Sequence, residues 1–477
     1  MIRLSIFAVV VFGLVSRIEA YESVDDPRQW AITGVSVIDI ETGRVAVDQT
    51  IVIRNGLIEA VGDRQSVPLE SEAIVLEYDG GFAIPGLWDA HVHIRGGPAL
   101  IDANERWLRQ YLGYGVTSVR DTGGDLWSSV LHWKAEVEQG VVIGPRIYTA
   151  LRKLDGPGLR QAGSIPVDSG DAIDRALDYL ALAGADFIKL YDFSFPAKLY
   201  PLAVRKAEAR GMKTAAHIPP GVPLEALIEA GLDSVEHAFY LVKAANPDDR
   251  RLSGRMADEQ TYEYLPYFTQ LAEIGEGADP ATARRVFRSM ARRGTAITPT
   301  LEIDRAINAF LVDRTIDRAR LDQTPRLIRD THDRAQEFFE SVADELWPIA
   351  EQVTRQSLDL VEIAADEGVM ILAGSDTGTG NPFVYPGDSL HAELERLVEA
   401  GLSPLQALQS ATIAPARWLG LDETFGAVSP GFVADIVVLE SNPLDEIERT
   451  RDIVAVVQQG VHFDKTELAG LRRLVGD

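Results

Sequence analysis

Between residues 84 and 420 the chain repeats one pattern, a short apolar run followed by an amphipathic stretch. The runs are FAIPGLWDAHVH, GVTSVRDT, IGPRIYTA, ADFIKLYDF, MKTAAHI, LDSVEHAF, GTAITPTL and GVMILAGSD. Strands separated by crossover helices pair in parallel, and eight such units predict an α/β fold, the (β/α)8 TIM barrel. Glycines that end the preceding helix mark several strand starts, as before Val116, Met212, Thr295 and Val369. Two intervals, 238–293 and 302–367, are too long for one crossover and rich in Arg, Ala and Glu, so they read as helical inserts. Chain inserted after a barrel strand lies at the mouth, which makes both inserts candidates for a lid or a substrate-selecting wall.

The ends of the chain read differently. AITGVSVIDI, QTIVIRNG and LIEAVG near the start, and GFVADIVVLE and IVAVVQQGVHF near the end, alternate apolar and polar residues like antiparallel strands. They predict one small β-sandwich domain built from both chain ends, 21–83 and 421–477, around the 84–420 barrel. Residues 1–20 carry Arg3, the apolar run LSIFAVVVFGLV and a small residue at Ala20, the pattern of a secretory signal peptide. An exported, periplasmic or secreted protein is the expectation, with no stable membrane insertion after cleavage.

Composition narrows the chemistry. A net charge of −26 repels phosphate backbones and anionic lipid, so nucleic acid and acidic membranes are poor partners. There is no cysteine, which removes thiolate catalysis, disulfides and Cys-rich zinc modules. A metal would have to be held by His or carboxylate.

Only eight histidines occur, and His91, His93, His217 and His237 fall at or near the ends of predicted barrel strands. The H-x-H spacing of DAHVH puts His91 and His93 on one face of a strand, where both reach one ion. Asp376 follows VMILAGS; a carboxylate at a strand end facing the mouth wants a cation, although a lone Asp-Thr-Gly also suits a turn. Lys189 interrupts ADFIKLYDF where the strand should be buried. A desolvated lysine readily loses its charge; it then serves as a Schiff-base nucleophile, reacts with CO2 to a carbamate, or else snorkels to the sheet end.

Taken together, H-x-H on the first strand, Lys on the fourth, His on the fifth and sixth and Asp on the eighth resemble the amidohydrolase superfamily with a binuclear metal centre. GLWDAHVH, GVTSVRDTGG, FIKLY, LAGSDTG, SLHAELE and SPLQALQSATIAPARWLGL resemble its branch related to imidazolonepropionase and amidohydrolase-type dipeptidases. The resemblance implies His91, His93 and Asp376 on one metal, His217 and His237 on the other, and Lys189 bridging them as an N6-carboxylated lysine. It implies two divalent ions, zinc by default, with Mn, Fe or Co fitting the same donors. It further implies a metal-dependent hydrolase of C–N bonds in which a metal-bridging hydroxide attacks the amide carbonyl and Asp376 carries the proton to the leaving nitrogen.

On the substrate side, Tyr191 lies two residues beyond Lys189 on the same strand face and is a candidate to hold the carbonyl oxygen, or a packed aromatic. Arg120 is a candidate for substrate carboxylate recognition or a structural pair with Asp121; His391 is a candidate for substrate binding or a surface histidine near a helix cap. His132, His332 and His462 read as surface or satisfied histidines. TYEYLPYF, Phe310, Phe338 and Phe339 are candidates for an apolar wall or for helix packing. The leading substrate is a small amide or peptide such as a dipeptide or N-acyl amino acid. Alternatives are lactone, carbamate or organophosphate hydrolysis, a non-hydrolytic lyase or isomerase, and a catalytically inactive binding protein on the same barrel. Related barrels often associate, and a homo-oligomer is expected.

Overall fold

The computed structural model describes residues 29–158, 161–256, 264–322 and 324–473. The expected signal peptide lies outside them. Among the described residues no helix is long and apolar enough to cross a membrane.

The two chain ends meet in one hydrogen-bonded sheet. Its order is Val461–Asp464, Ile453–Gln458, Ile436–Leu439, Phe82–Pro85, Trp30–Ile38, Val45–Arg54 and Leu57–Asp63, with Ile74–Glu77 also paired to Trp30–Ile38. The junction is antiparallel, with Val437 opposite Ile84. Where a two-sheet sandwich was expected, the ladder is continuous, and both ends contribute to one core that includes Ile32, Val35, Ile51, Ile53, Ile436 and Val438.

The strands of the central region are parallel, as the alternation with helices requires. One sheet runs Thr377–Gly378, Leu87–His93, Val116–Asp121, Arg146–Thr149. The other runs Ser164–Pro166, Lys153–Asp155, Ile188–Leu190, Thr214–Ala216, Ser234–Glu236, Ala296–Thr298. Between them, Ile297 bridges Ile371, Ala90 N–H donates to Ala373 O at 2.8 Å, and Asp186 N–H donates to Thr149 O at 2.9 Å. This is the TIM-barrel type of α/β fold.

The eighth predicted strand is reduced to single backbone bonds around residues 371–376 and the short Thr377–Gly378 pairing. Gly374 explains the close approach there. A Cβ at that position would lie 2.7 Å from the Cβ of His91 and 2.6 Å from the Thr298 methyl, so only glycine lets the segment press against the Leu87–His93 strand.

Both inserts are helical. The first holds Tyr240–Ala244, Asp249–Met256, Tyr264–Gly275 and Pro280–Arg293; the second holds Leu301–Asp313, two single turns, and the long Asp333–Asp366 helix. Leu301–Asp313 and Tyr264–Gly275 both pack on Asp333–Asp366, which ties the two inserts into one helical layer.

Candidate metal centre and its pocket

The Leu87–His93 strand is buried along its whole length, so its alternation cannot simply separate core from solvent. One of its faces carries His91 and His93, whose rings lie 5.3 Å apart. His237 follows the Ser234–Glu236 strand, with its ring 4.9 Å from His91 and 4.8 Å from His217. Asp376 Oδ1 stands 3.4 Å from Nε2 of both His91 and His93, and the Nε2 atoms of His217 and His237 face each other at 3.0 Å. His91, His237 and Asp376 together offer ligand atoms within 4.8 Å of one another. Lys189 is fully buried, and its Nζ has no hydrogen-bond partner.

What fixes these rings is the other nitrogen of each. His91 Nδ1 meets Glu236 Oε2 at 2.5 Å, His217 Nδ1 meets Asp192 Oδ1 at 3.1 Å, and His93 Nδ1 meets Gly123 O at 3.2 Å. A carboxylate or carbonyl accepts only a proton, so each of these Nδ1 atoms donates and each Nε2 lone pair points inward. His237 Nδ1 is held by the Thr300 hydroxyl at 2.8 Å. The inward Nε2 of His91 is buried without a hydrogen-bond partner and faces a carboxylate oxygen, an arrangement that lacks a positive charge. Oriented lone pairs, outer carboxylates and an orphaned buried acceptor fit divalent cations.

Electrostatics agree. Burial, with Lys189 adding to it, pushes His91 and His217 well below the ordinary imidazole range, and burial does the same to His93. His237 falls to about 3 through burial and the neighbouring His217. Neutral imidazole is the ligating form. Burial lowers Lys189 to about 8, against the opposing pull of Glu236, so a reactive neutral amine is accessible near neutral pH. Three non-glycine residues at the centre, His237, Thr300 and Asp376, hold φ of 70°, 52° and 55°. Left-handed backbone costs on the order of 1 kcal/mol per residue and persists where the surroundings over-determine it.

Arg120 is not in the pocket. It is fully buried, and its Nη2 donates to Glu236 Oε1 and Oε2 at 2.8 and 2.7 Å and to Thr298 Oγ1 at 2.9 Å. Nor does it pair with Asp121, which instead accepts from Thr149 Oγ1 at 2.7 Å and Ile94 N–H at 3.1 Å. Arg120 supports the centre indirectly: although burial alone would raise Glu236, the guanidinium keeps that carboxyl below its usual range, ionised beside His91. His391 does not line the cavity either. It is buried, with Nδ1 2.9 Å from Thr450 Oγ1 and Nε2 2.9 Å from Tyr114 O, and it pins the C-terminal region to the barrel. His332, expected on the surface or satisfied, is buried with neither ring nitrogen hydrogen-bonded. His132 pairs with Glu136 and His462 with the Tyr78 hydroxyl.

Tyr191 does face the cavity. Its ring lies 4.3 Å from His217, and burial raises its hydroxyl, keeping it a hydrogen-bond donor. The cavity above the histidines has a volume of about 440 Å3. Its apolar wall includes Phe239, Phe268, Ile303, Ile307, Phe339 and Phe383, largely from the inserts. Phe310 packs behind, 5.2 Å from Phe383, and Phe338 is exposed. The first residues of TYEYLPYF, 261–263, lie outside the described residues.

Sequence reasoning missed Glu236, Asp192, Thr300, Arg95 and Asp304. Glu236 had a signal: like Lys189, it is a charge inside a strand expected to be buried. Asp192 adjoins Tyr191 and is locked by the Tyr240 hydroxyl at 2.6 Å. Asp304 sits on the Leu301–Asp313 helix and lines the cavity; burial, with Asp376 adding to it, raises its carboxyl to about 8.

Comparison with known proteins is consistent with this geometry. The family model described as "Amidohydrolase family" matches residues 82–463. The chain is 22% identical over 463 residues to a protein named ochratoxinase from Aspergillus niger, covering 85% of this chain and 80% of that protein. Among solved structures it resembles a putative prolidase from Bifidobacterium longum, with TM-score 0.67, 22% identity, and 93% and 98% of the two chains covered. It also resembles a bottromycin amidohydrolase, with TM-score 0.70, 24% identity, and 94% and 90% covered. At these identities the structures establish the fold.

Proposed function

Because the chain belongs to the amidohydrolase family, hydrolases of amide and peptide bonds that are typically metal-dependent, we propose that its substrate is a small amide of the dipeptide or N-acyl amino acid type. The supporting observation is the convergence of inward-facing histidine lone pairs and Asp376 on one buried point beneath a cavity of dipeptide size. We assign His91, His93 and Asp376 to one divalent ion, His217 and His237 to a second, and a carboxylated Lys189 between them, with zinc as the default metal. The hydrogen bonds between the two parallel sheets support a closed eight-strand barrel over 84–420, with inserts 238–293 and 302–367 and a β-domain from 21–83 and 421–477.

When bound, such ions act as Lewis acids that polarise a carbonyl and acidify water. The residues do the rest. The protonated Tyr191 hydroxyl donates to the substrate carbonyl oxygen as negative charge develops there. The Asp376 carboxylate accepts a proton from the attacking water and gives it to the amide nitrogen, so that the new C–O bond replaces the C–N bond and an amine leaves. Glu236, Asp192 and Thr300 hold the imidazoles in the ligating orientation. The signal-like first twenty residues support export to the periplasm or medium. Metal analysis of the purified protein with a screen of dipeptides and N-acyl amino acids tests the reading: two ions per chain with amine release are expected, and a metal-free, inactive protein after zinc and bicarbonate supplementation overturns it.

A further inference from the structure

Two ionisable side chains on the cavity wall, Arg95 and Asp304, have no ionic partner among the described residues. Arg95 follows the ligand strand by two residues and is half-buried; its Nε donates to Thr379 O at 3.1 Å and its Nη1 to Gln161 Oε1 at 3.2 Å. Neither acceptor is a carboxylate, and Nη2 makes no hydrogen bond among the described residues. In a chain with 72 acidic against 46 basic residues, an arginine aimed into a pocket and left un-neutralised is an unusual placement. Asp304 is its counterpart. It is half-buried on the first turn of the Leu301–Asp313 helix, between Ile303 and Ile307 on the apolar wall, and makes no hydrogen bond or ion pair among the described residues. The remaining charged groups of the wall are engaged: Asp192 with His217 and Tyr240, and Asp376 beside His91 and His93.

A carboxylate set in an aromatic wall is unfavourable unless a cation arrives, and an arginine fork in the same cavity suits a carboxylate. We propose that Asp304 receives the free α-ammonium, and Arg95 the free α-carboxylate, of an unblocked dipeptide, with the apolar wall taking its side chains. This rests on the hydrolase reading and narrows it: of the two substrate types proposed there, it selects dipeptides over N-acyl amino acids. Neither residue belongs to the ligand set; both are specificity residues, and Asp304 is supplied by an insert rather than by a barrel strand.

The test uses metal-loaded enzyme and three compounds sharing one scissile bond: Ala-Phe, N-acetyl-Ala-Phe and Ala-Phe amide. Sites built around a buried polar partner reject analogues lacking it by large factors, so kcat/KM for Ala-Phe should exceed that for either blocked compound by about 100-fold or more. In D304N the ratio of Ala-Phe to N-acetyl-Ala-Phe should collapse by at least about 30-fold, and in R95Q the ratio of Ala-Phe to Ala-Phe amide should do so, with R95K intermediate. Thermal unfolding and metal content of each variant identify any that are misfolded, and the wild-type preference alone then decides. Equal turnover of the three compounds by the wild type, or ratios unmoved in folded variants, overturns the inference. Should none be hydrolysed, the hydrolase reading fails separately; calorimetric affinities for the same compounds then decide this one by the same ratios.

Discussion

The floor and the wall of the cavity are built on different principles. The floor comes from strand ends, and its outer polar groups hold one another in relays: His91 Nδ1 by Glu236, Glu236 by Arg120, His217 by Asp192, Asp192 by Tyr240. The wall comes largely from helices and is aromatic and aliphatic, interrupted by Asp304. A hydrogen-bonded floor tolerates little change because each loss strands a buried charge; a packed wall can exchange one apolar residue for another. On the proposed function, chemistry is fixed by the floor and selectivity is adjustable in the wall.

That contrast can be broken most directly at Asp376. Asp376→Asn and Lys189→Ala should each lower kcat by about 1,000-fold or more while circular dichroism and melting stay near wild type; near-native turnover in either would show the floor is not the reacting end. Glu236→Gln should act one step out. It weakens the hold on His91 and leaves Arg120 without its counter-charge, so metal affinity by competitive chelation should fall about 10–100-fold and stability by about 3 kcal/mol. Phe339→Ala, on the wall, should raise KM about 10-fold for substrates with large apolar side chains, with metal content unchanged and kcat nearly so.

The smallest effect on activity belongs outside both regions. His391 is held neutral by burial, with a pKa of about 3. Between that value and the unfolded value near 6.5 the unfolded chain binds the extra proton, so stability falls as pH drops through this window. At pH 5 the contribution is about 2 kcal/mol relative to pH 7, and His391→Gln should flatten that part of the pH–stability curve without altering metal content.

How much of this was legible depends on the range of the contacts. His91 and His93 could be read because a period-two strand puts both on one face, and Lys189 because a charge in an apolar strand needs a reason. Arg120 and His391 could not be placed, since their partners Glu236 and Thr450 lie 116 and 59 residues away. The segment GVMILAGSD looks like an ordinary strand by composition; in the structure its pairing is reduced to a bridge and single backbone bonds, and the need for glycine at 374 comes from its press against His91, a tertiary contact. Wall aromatics such as Phe339 and buried ones such as Phe310 share helical spacing, so sequence alone does not tell cavity from core.

The antiparallel pairing of Phe82–Pro85 with Ile436–Leu439 has a consequence for biogenesis. The segment leading directly into the H-x-H strand borrows its neighbour from residues 436–439, beyond every proposed ligand. During synthesis that neighbour emerges after every proposed ligand has already left the ribosome, so the nascent chain holds its histidines on an unfinished scaffold. Completion of the scaffold therefore waits on residues far downstream of the proposed ligands, and deletion of residues 436–464 should leave a protein that does not retain metal.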